Sequence, residues 1–370
     1  LSFNLAFFRG ADGWPYLLTP LIPIAVVLDL AGSSATVIFV ASALGIVPTA
    51  ALMGRATEEL AARAGPGIGG LLNVTFGNAP ELIIALFALG AGLHEVVKAS
   101  IIGSIIGNIL LVMGASMLVG GLGREKQVFS RTGAGVQSSM LLLAAAALVM
   151  PAIFELIEGK GLPGPGSQIV DYGSTVEHLS IAVAVVLIAT YVLGLLFSLR
   201  THRDIFNPEY EAEEDTWGWS VRRSVKALAV AGILVGLMSE ILVGSIEEAS
   251  HAIGLSEFFI GVIVVAIVGN AAEHWVAVLV AKKDKMDLAI NISIGSSAQI
   301  ALFVAPALVL ASLFIGPHTL ALVFNGFELG AVLLAVVIAN HITQDGESTW
   351  FEGVQLLAVY AVLGLAFYYA

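Results

Sequence analysis

Gly77-Asn78-Ala79-Pro80-Glu81 and Gly269-Asn270-Ala271-Ala272-Glu273 are two copies of one polar pentapeptide, 192 residues apart and each embedded in apolar sequence. Each copy puts a helix breaker, an amide and a carboxyl where a lipid-facing helix tolerates none, so each glutamate is by default a functional-site residue. The reading of the whole chain works outward from this pair.

The surrounding composition fixes the medium. Hydrophobic residues make up 58% of the 370 positions and charged residues 12%, with a mean hydropathy of +0.95. Such a chain is an integral membrane protein and not a soluble domain. Nearly every window from Tyr16 onward holds about 20 apolar residues between short polar breaks, the length that crosses a hydrocarbon core of roughly 30 Å. Gly occupies 40 positions, above the soluble average of about 7%, as helices that pack closely or break require. The absence of Cys removes disulfides, thiolate metal sites and thiol redox chemistry. A net charge of −12 argues against nucleic acid as a partner. The first fifteen residues carry no cationic region followed by a small-residue cleavage site, so no signal peptide is expected.

The periodicity predicts an all-α integral membrane protein with eleven transmembrane helices, at 16–32, 34–54, 68–91, 97–120, 133–154, 178–200, 220–250, 257–281, 287–314, 318–340 and 351–369. With a cytoplasmic N-terminus, Arg9, Arg55, Arg63, Arg124, Lys126, Arg131, Arg200, Arg203, Arg222, Arg223, Lys226, Lys282, Lys283 and Lys285 lie inside, leaving Lys98 and Lys160 outside. That split is a strong positive-inside signal, and one helix more or fewer would scramble it.

The pentapeptides are landmarks of a longer repeat. At the same offset Gly103-Ser104 matches Gly295-Ser296, and Thr57-Glu58-Glu59 loosely echoes Ile246-Glu247-Glu248 upstream. The expected organisation is an N-terminal segment with an extra helix (1–32), a first five-helix repeat (33–200), an acidic cytoplasmic loop (201–219) and a second five-helix repeat (220–370). An odd number of helices per copy forces the copies into opposite orientations, the inverted-repeat plan of many secondary transporters. Under that plan Glu81 and Glu273 both fall near the membrane midplane, about 13 and 16 residues into their helices at 1.5 Å per residue.

Two carboxylates and neutral oxygens, without sulfur or a His cluster, form a hard-oxygen site that suits Ca²⁺ better than Mg²⁺, which holds its water. Gly77 and Gly269 are expected to let the backbone unwind and free carbonyl oxygens, while Asn78 and Asn270 add amide oxygens. Ser104, Asn108, Ser296 and Gln299 in the facing helices supply further neutral oxygens or bridge helices. His274 is a candidate proton relay beside Glu273, although successive helix residues face different ways and packing serves equally well as its role. Glu240 and Glu328 are candidate gate or proton-path acids. Gly103 and Gly295 read first as packing devices. The run Glu209 to Asp215 reads as a solvated loop.

GNAPELI (77–83) and GNAAEH (269–274), with GSIIGN (103–108), IGSSAQIALF (294–303) and DGESTWFEG (345–353), resemble the calcium/proton exchanger branch of the cation/Ca²⁺ exchanger superfamily. The resemblance spans the chain from the first helix to the last. It implies a Ca²⁺/H⁺ antiporter, with Glu81 and Glu273 as the matching ion-binding acids. Sodium/calcium exchangers share the fold but carry extra hydroxyls around the first acid and an acid in a facing helix. Ala79, Ala271, Ser104 and Ser296 stand there instead, which favours protons as counter-ion. The long N-terminal regulatory extension of many eukaryotic members is not seen, so autoinhibition of that kind is not expected.

Coupling follows from charge. Two carboxyls in one low-dielectric cavity cannot easily both be ionised without a cation, so either Ca²⁺ or protons neutralise them. No cofactor is expected, and the partners are the two transported ions and the lipid bilayer. The runner-up readings are an exchanger of another cation (Mn²⁺, or Na⁺-coupled Ca²⁺ exchange) and, behind these, a cation channel, for which nothing suggests a filter ring. An intramembrane enzyme would need a nucleophile and base or a metal triad, and the sparse histidines offer neither.

Overall fold

The computed structural model of the protein describes residues 13–64, 69, 72, 75–165, 173–198 and 218–370. The acidic run 209–215, the turn at Gly65-Pro66-Gly67 and the basic positions Arg9, Arg200 and Arg203 lie outside the described residues.

Among the described residues, eight helices are long and apolar enough to cross a membrane: α2 (Ala35–Ala64), α4 (His94–Gly121), α5 (Arg131–Ile157), α6 (Ser174–Leu196), α7 (Val221–Ile253), α8 (Glu257–Lys282), α9 (Met286–Ala311) and α11 (Trp350–Tyr369). Three shorter apolar helices accompany them: α1 (Trp14–Leu30), α3 (Ala79–Gly90) and α10 (Gly326–Ile342). The helices expose rows of large apolar side chains, such as Val185, Val186, Val192 and Leu193 on α6, which is the surface a helix presents to lipid. Two two-residue strands, β1 (Gln127–Val128) and β2 (Glu347–Ser348), pair antiparallel.

Local chemistry sets the helix ends. Ser220 caps α7 by accepting from the Arg223 amide, and Gly254, at φ +72°, ends it in the left-handed conformation that costs glycine nothing. Three expected boundaries differ, one being the start of α3, at Ala79 where 68 was expected. α2 continues past residue 54 to Ala64, because Arg55 pairs with Glu58 and Glu59 three and four residues on and keeps the charged run helical. α10 begins at Gly326 and not at 318. Asn325 and Glu328 form a reciprocal capping box that starts the helix there, and residues 319–325 run as non-helical backbone with Leu320 to Phe324 buried.

The chain divides into two compact units, each drawn from both halves of the sequence. The first comprises Leu1–Phe87, Leu195–Gly254 and Val268–Val276. In it α2 and α7 lie packed along each other, with α1 against α2. Met53, Ala79, Ala231 and Val235 form a core that joins the start of α3 to this helix pair. At one end the buried Glu59 carboxylate accepts the Trp219 amide at 2.8 Å, and the Arg223 guanidinium lies 4.5 Å over the Trp219 ring.

The second unit comprises Ala88–Gly194, Leu255–Ile267 and Ala277–Ala370. It is held by small residues at helix crossings. Gly103 of α4 packs on the backbone of Val262, and Gly261 lies against Val96 and Ala99. Further along α4, Gly114 meets Gly353 and Leu356 of α11. These are the close backbone approaches that substitute for a hydrophobic driving force in lipid. Gly103 is thus a packing residue. Gly103→Ala would drive its methyl into the Val262 carbonyl, a backbone group that cannot swing aside, so the variant is expected to lose about 1–3 kcal/mol or more of stability. Thermal unfolding in detergent checks this, and a wild-type midpoint would contradict the crossing.

Three of the unit's helices contain π turns: α4 at Gly107–Val112, α8 at Ile260–Val265, and α9 at both Asn291–Gly295 and Ile300–Val304. With the 192-residue offset applied, the α4 turn recurs within one residue at Ile300–Val304. Such bulges release carbonyls from the regular ladder and concentrate at functional positions.

Candidate ion site

Pro80 shapes the local form of the first pentapeptide. It has no N–H to offer the carbonyl of Phe76, and its ring crowds that carbonyl; α2 and α5 run through Pro48 and Pro151, and here, directly after Gly77-Asn78, the chain instead turns. Residues 75–77 are helical, Asn78 is a turn residue, and α3 restarts at Ala79 with Glu81 in its first turn. The released carbonyl is that of Phe76, a group the sequence reading overlooked although Pro80 is its signal.

The second pentapeptide behaves differently, which corrects the expectation that both copies unwind. Ala272 stands where the first copy has Pro80 and keeps its amide. The helical stretch Ala266–Lys282 accordingly runs unbroken through Gly269, Asn270 and Glu273. Glycine permits a break, and proline next to it adds the loss of a ladder hydrogen bond. The irregularity on this side falls upstream, in the π turn at Ile260–Val265.

Both pentapeptides lie in the first unit, and there they interlock. A Cβ placed on Gly77 would stand 3.2 Å from Glu273 Oε1, and one placed on Gly269 would stand 3.1 Å from Glu81 Cγ and 3.5 Å from Ile84 Cδ1. Each glycine therefore makes room for the glutamate of the other copy. Glu81 and Glu273 are within electrostatic reach of each other. Both carboxylate oxygens of Glu81 are shielded from solvent and have no hydrogen-bond partner among the described residues. Asn78 and Asn270 are buried beside them in sequence, at 3% and 1% exposure. A carboxyl so enclosed is costly unless something neutralises it, and a proton or a cation are the two agents available. Among the described residues no three His, Cys, Asp or Glu side chains come together in a way that could hold a metal.

The other sequence-derived candidates are placed elsewhere or contribute differently. Ser104 and Asn108 on α4 and Ser296 on α9 are buried, Gln299 is partly buried, and all four belong to the second unit. One α4 to α9 bridge comes from a neighbour the sequence reading did not single out. Ser297 Oγ donates to the Ile105 carbonyl at 3.3 Å and to Ser293 at 2.9 Å. Gln137 of α5, likewise unmarked in the sequence, donates to Asn291 Oδ1 at 2.5 Å. His274 is half-buried next to Glu273. Glu240 is exposed on α7, and Glu328 is fully buried in the second unit at the start of α10.

The chain is similar to known proteins over most of its length. A family model described as sodium/calcium exchanger protein matches residues 34–200 and 224–369. The Ca²⁺/H⁺ antiporter of Aphanothece halophytica is 46% identical over 351 residues, covering 90% of this chain and 90% of that protein. The Ca²⁺/H⁺ antiporter ChaA of Bacillus subtilis is 44% identical over 351 residues, covering 94% of this chain and 96% of its own. Among solved structures, native YfkE superimposes with a TM-score of 0.81 at 39% identity, covering 96% of this chain and 100% of that one. The chain is a multi-pass membrane protein that belongs to the sodium/calcium exchanger protein family, with Ca²⁺/H⁺ antiporters among its relatives.

Proposed function

We propose that the protein is a secondary transporter that exchanges Ca²⁺ for H⁺ across its membrane, with ion and protons competing for Glu81 and Glu273. The observation that carries this reading is the interlock of the pentapeptides, which holds one acid of each copy against the glycine of the other and leaves the Glu81 oxygens enclosed with no hydrogen-bond partner among the described residues. Carboxylate oxygens, the Asn78 and Asn270 amides and backbone carbonyls at Phe76 and Gly77 are the hard donors that Ca²⁺ takes. Gly269 contributes by allowing close approach, since its own stretch of helix is intact. The kinship with proteins named Ca²⁺/H⁺ antiporters points the same way.

Exchange follows from charge balance. Loaded with Ca²⁺ or with protons, the acid pair is neutral and can be presented to either side of the membrane. Empty, it is a dianion in a low-dielectric setting and should not move. No step of this cycle is an enzymatic reaction. An inverted pair of five-helix repeats, 33–200 and 220–370, supplies two related ends for alternating access, and sliding of the α2 and α7 pair is the motion we assign to it.

Uptake into sealed vesicles tests the reading. Ca²⁺ should accumulate only against an opposing pH gradient, with stoichiometric proton movement. Uptake driven by Na⁺ in place of that gradient, or passive flux without either, would replace it with a sodium-coupled or channel function. Gly269→Ala gives a finer test. Its methyl would press on Glu81 from 3.1 Å, and a displacement of a few tenths of an ångström is expected to weaken Ca²⁺ binding about tenfold, measurable by calorimetry. Unchanged affinity would argue against the interlock as the binding geometry.

A further inference from the structure

A second group of buried charges lies in the second unit, apart from the pentapeptides. Glu95 and Lys98, on the first turns of α4, form a direct ion pair and are 3% and 2% exposed. Lys98 Nζ also donates to the carbonyl of Val323 at 2.9 Å. That carbonyl belongs to the non-helical stretch 319–325, in which further backbone amides are met by side chains. The Leu320 amide donates to Ser312 Oγ at 2.8 Å and the Leu322 amide to Ser180 Oγ at 3.0 Å. Irregular backbone survives at such depth only when it is satisfied in this way.

Glu328 closes the stretch and is fully buried. Its Oε2 accepts the Asn325 amide at 2.8 Å, and its own amide donates to Asn325 Oδ1 at 2.9 Å. Its Oε1 has no hydrogen-bond partner among the described residues, nor has Glu95 Oε2. The charged groups within electrostatic reach of Glu328 are Lys98 and Glu95, while His94 is within reach of Lys98 and of His318. The charge count is therefore two carboxyls against one ammonium. Lys98 is in direct contact with Glu95, so its single positive charge cannot balance both carboxylates, and an incompletely balanced buried charge is among the costliest features a fold can carry.

We propose that Glu328 holds a resident proton on Oε1, a proton site separate from the exchanged one, that keeps the Glu95–Lys98–Glu328 cluster neutral and pins the 319–325 stretch to α4. The neutral carboxyl retains Oε2 as acceptor for the capping box and gains a hydroxyl donor at Oε1. On this assignment Glu328 is a fixed structural acid and not a station on the path of transported protons.

The purified full-length chain tests this by infrared spectroscopy and thermal unfolding, readouts that stand whether or not the transport proposal holds. Difference spectra between wild type and Glu328→Gln should show a deuterium-sensitive C=O band of a protonated carboxyl that the variant lacks. Gln reproduces the neutral acid in shape and as acceptor, so the midpoint of Glu328→Gln should stay within about 2 °C of wild type, with the H⁺:Ca²⁺ ratio unchanged. Glu95→Gln strands Lys98 and should lower the midpoint by more than about 5 °C, and the paired change Glu95→Gln with Lys98→Met should recover at least half of that loss. The paired variant also serves if Glu95→Gln does not fold. Absence of the band, destabilisation of Glu328→Gln comparable to Glu95→Gln, or a lower H⁺:Ca²⁺ ratio in Glu328→Gln would each overturn the resident proton.

Discussion

Glu81→Gln and Glu273→Gln are each expected to cut Ca²⁺/H⁺ exchange by more than about 100-fold while leaving the protein folded. Losing a residue that merely orients a metal ligand costs about 10–100-fold in affinity, so losing a ligand outright sets that range as a floor. The substitution acts on both transported species. It removes an anionic oxygen that Ca²⁺ needs and the carboxyl that would otherwise carry a proton. Stability should hardly change, because Gln keeps the volume of Glu and removes a charge whose enclosure is unfavourable in the empty protein. Each glutamate stands over the glycine of the other copy, so neither half can compensate for the other. Proteoliposome exchange assays on variants with wild-type elution profiles and unfolding midpoints decide the matter. Near-normal exchange by either variant would remove Glu81 and Glu273 from the centre of the mechanism.

The second large effect is on pH. Ca²⁺ and protons compete for the same carboxylate oxygens, so lowering the pH on the side where Ca²⁺ binds should weaken its apparent affinity. The sign follows from linkage: the Ca²⁺-free site binds more protons than the Ca²⁺-loaded one, hence affinity rises with pH for as long as binding displaces protons. With two acids the slope of log affinity against pH should approach about two, a change of roughly 100-fold per pH unit, and it should flatten once the empty site carries no protons. A slope nearer three would bring in a further exchanged acid, for which exposed Glu240 is the remaining candidate once Glu328 is assigned a fixed proton. Calorimetric Ca²⁺ titrations across pH 5 to 9 would give the slope directly. A flat profile would mean that protons do not compete at these glutamates, and a sodium-driven or channel reading would take over.

Much of this was written in the chain. Long apolar runs, caps such as Ser220 and stops such as Gly254 suffice to place helices close to where they form, because in lipid each span must satisfy its own backbone and local signals govern its ends. The repeated pentapeptide marked both acids, since ionisable groups inside apolar sequence survive only for a purpose. Other features depended on contacts that no local signal encodes. Residues 318–325 read as the start of a helix by composition, and their non-helical course is set by Asn325 and Glu328 at one end and, along its length, by Lys98 of α4, Ser180 of α6 and Ser312 just past α9. Gly77 and Gly269 looked alike in sequence, yet the copy with Gly77 and Pro80 turns at Asn78 while the copy with Gly269 and Ala272 stays helical. That each glycine leaves room for the opposite glutamate is visible only once the copies are brought together, because the spacing of about 3 Å lies between a Cβ placed on Gly77 or Gly269 and a glutamate far away in sequence, and tertiary packing alone sets such distances.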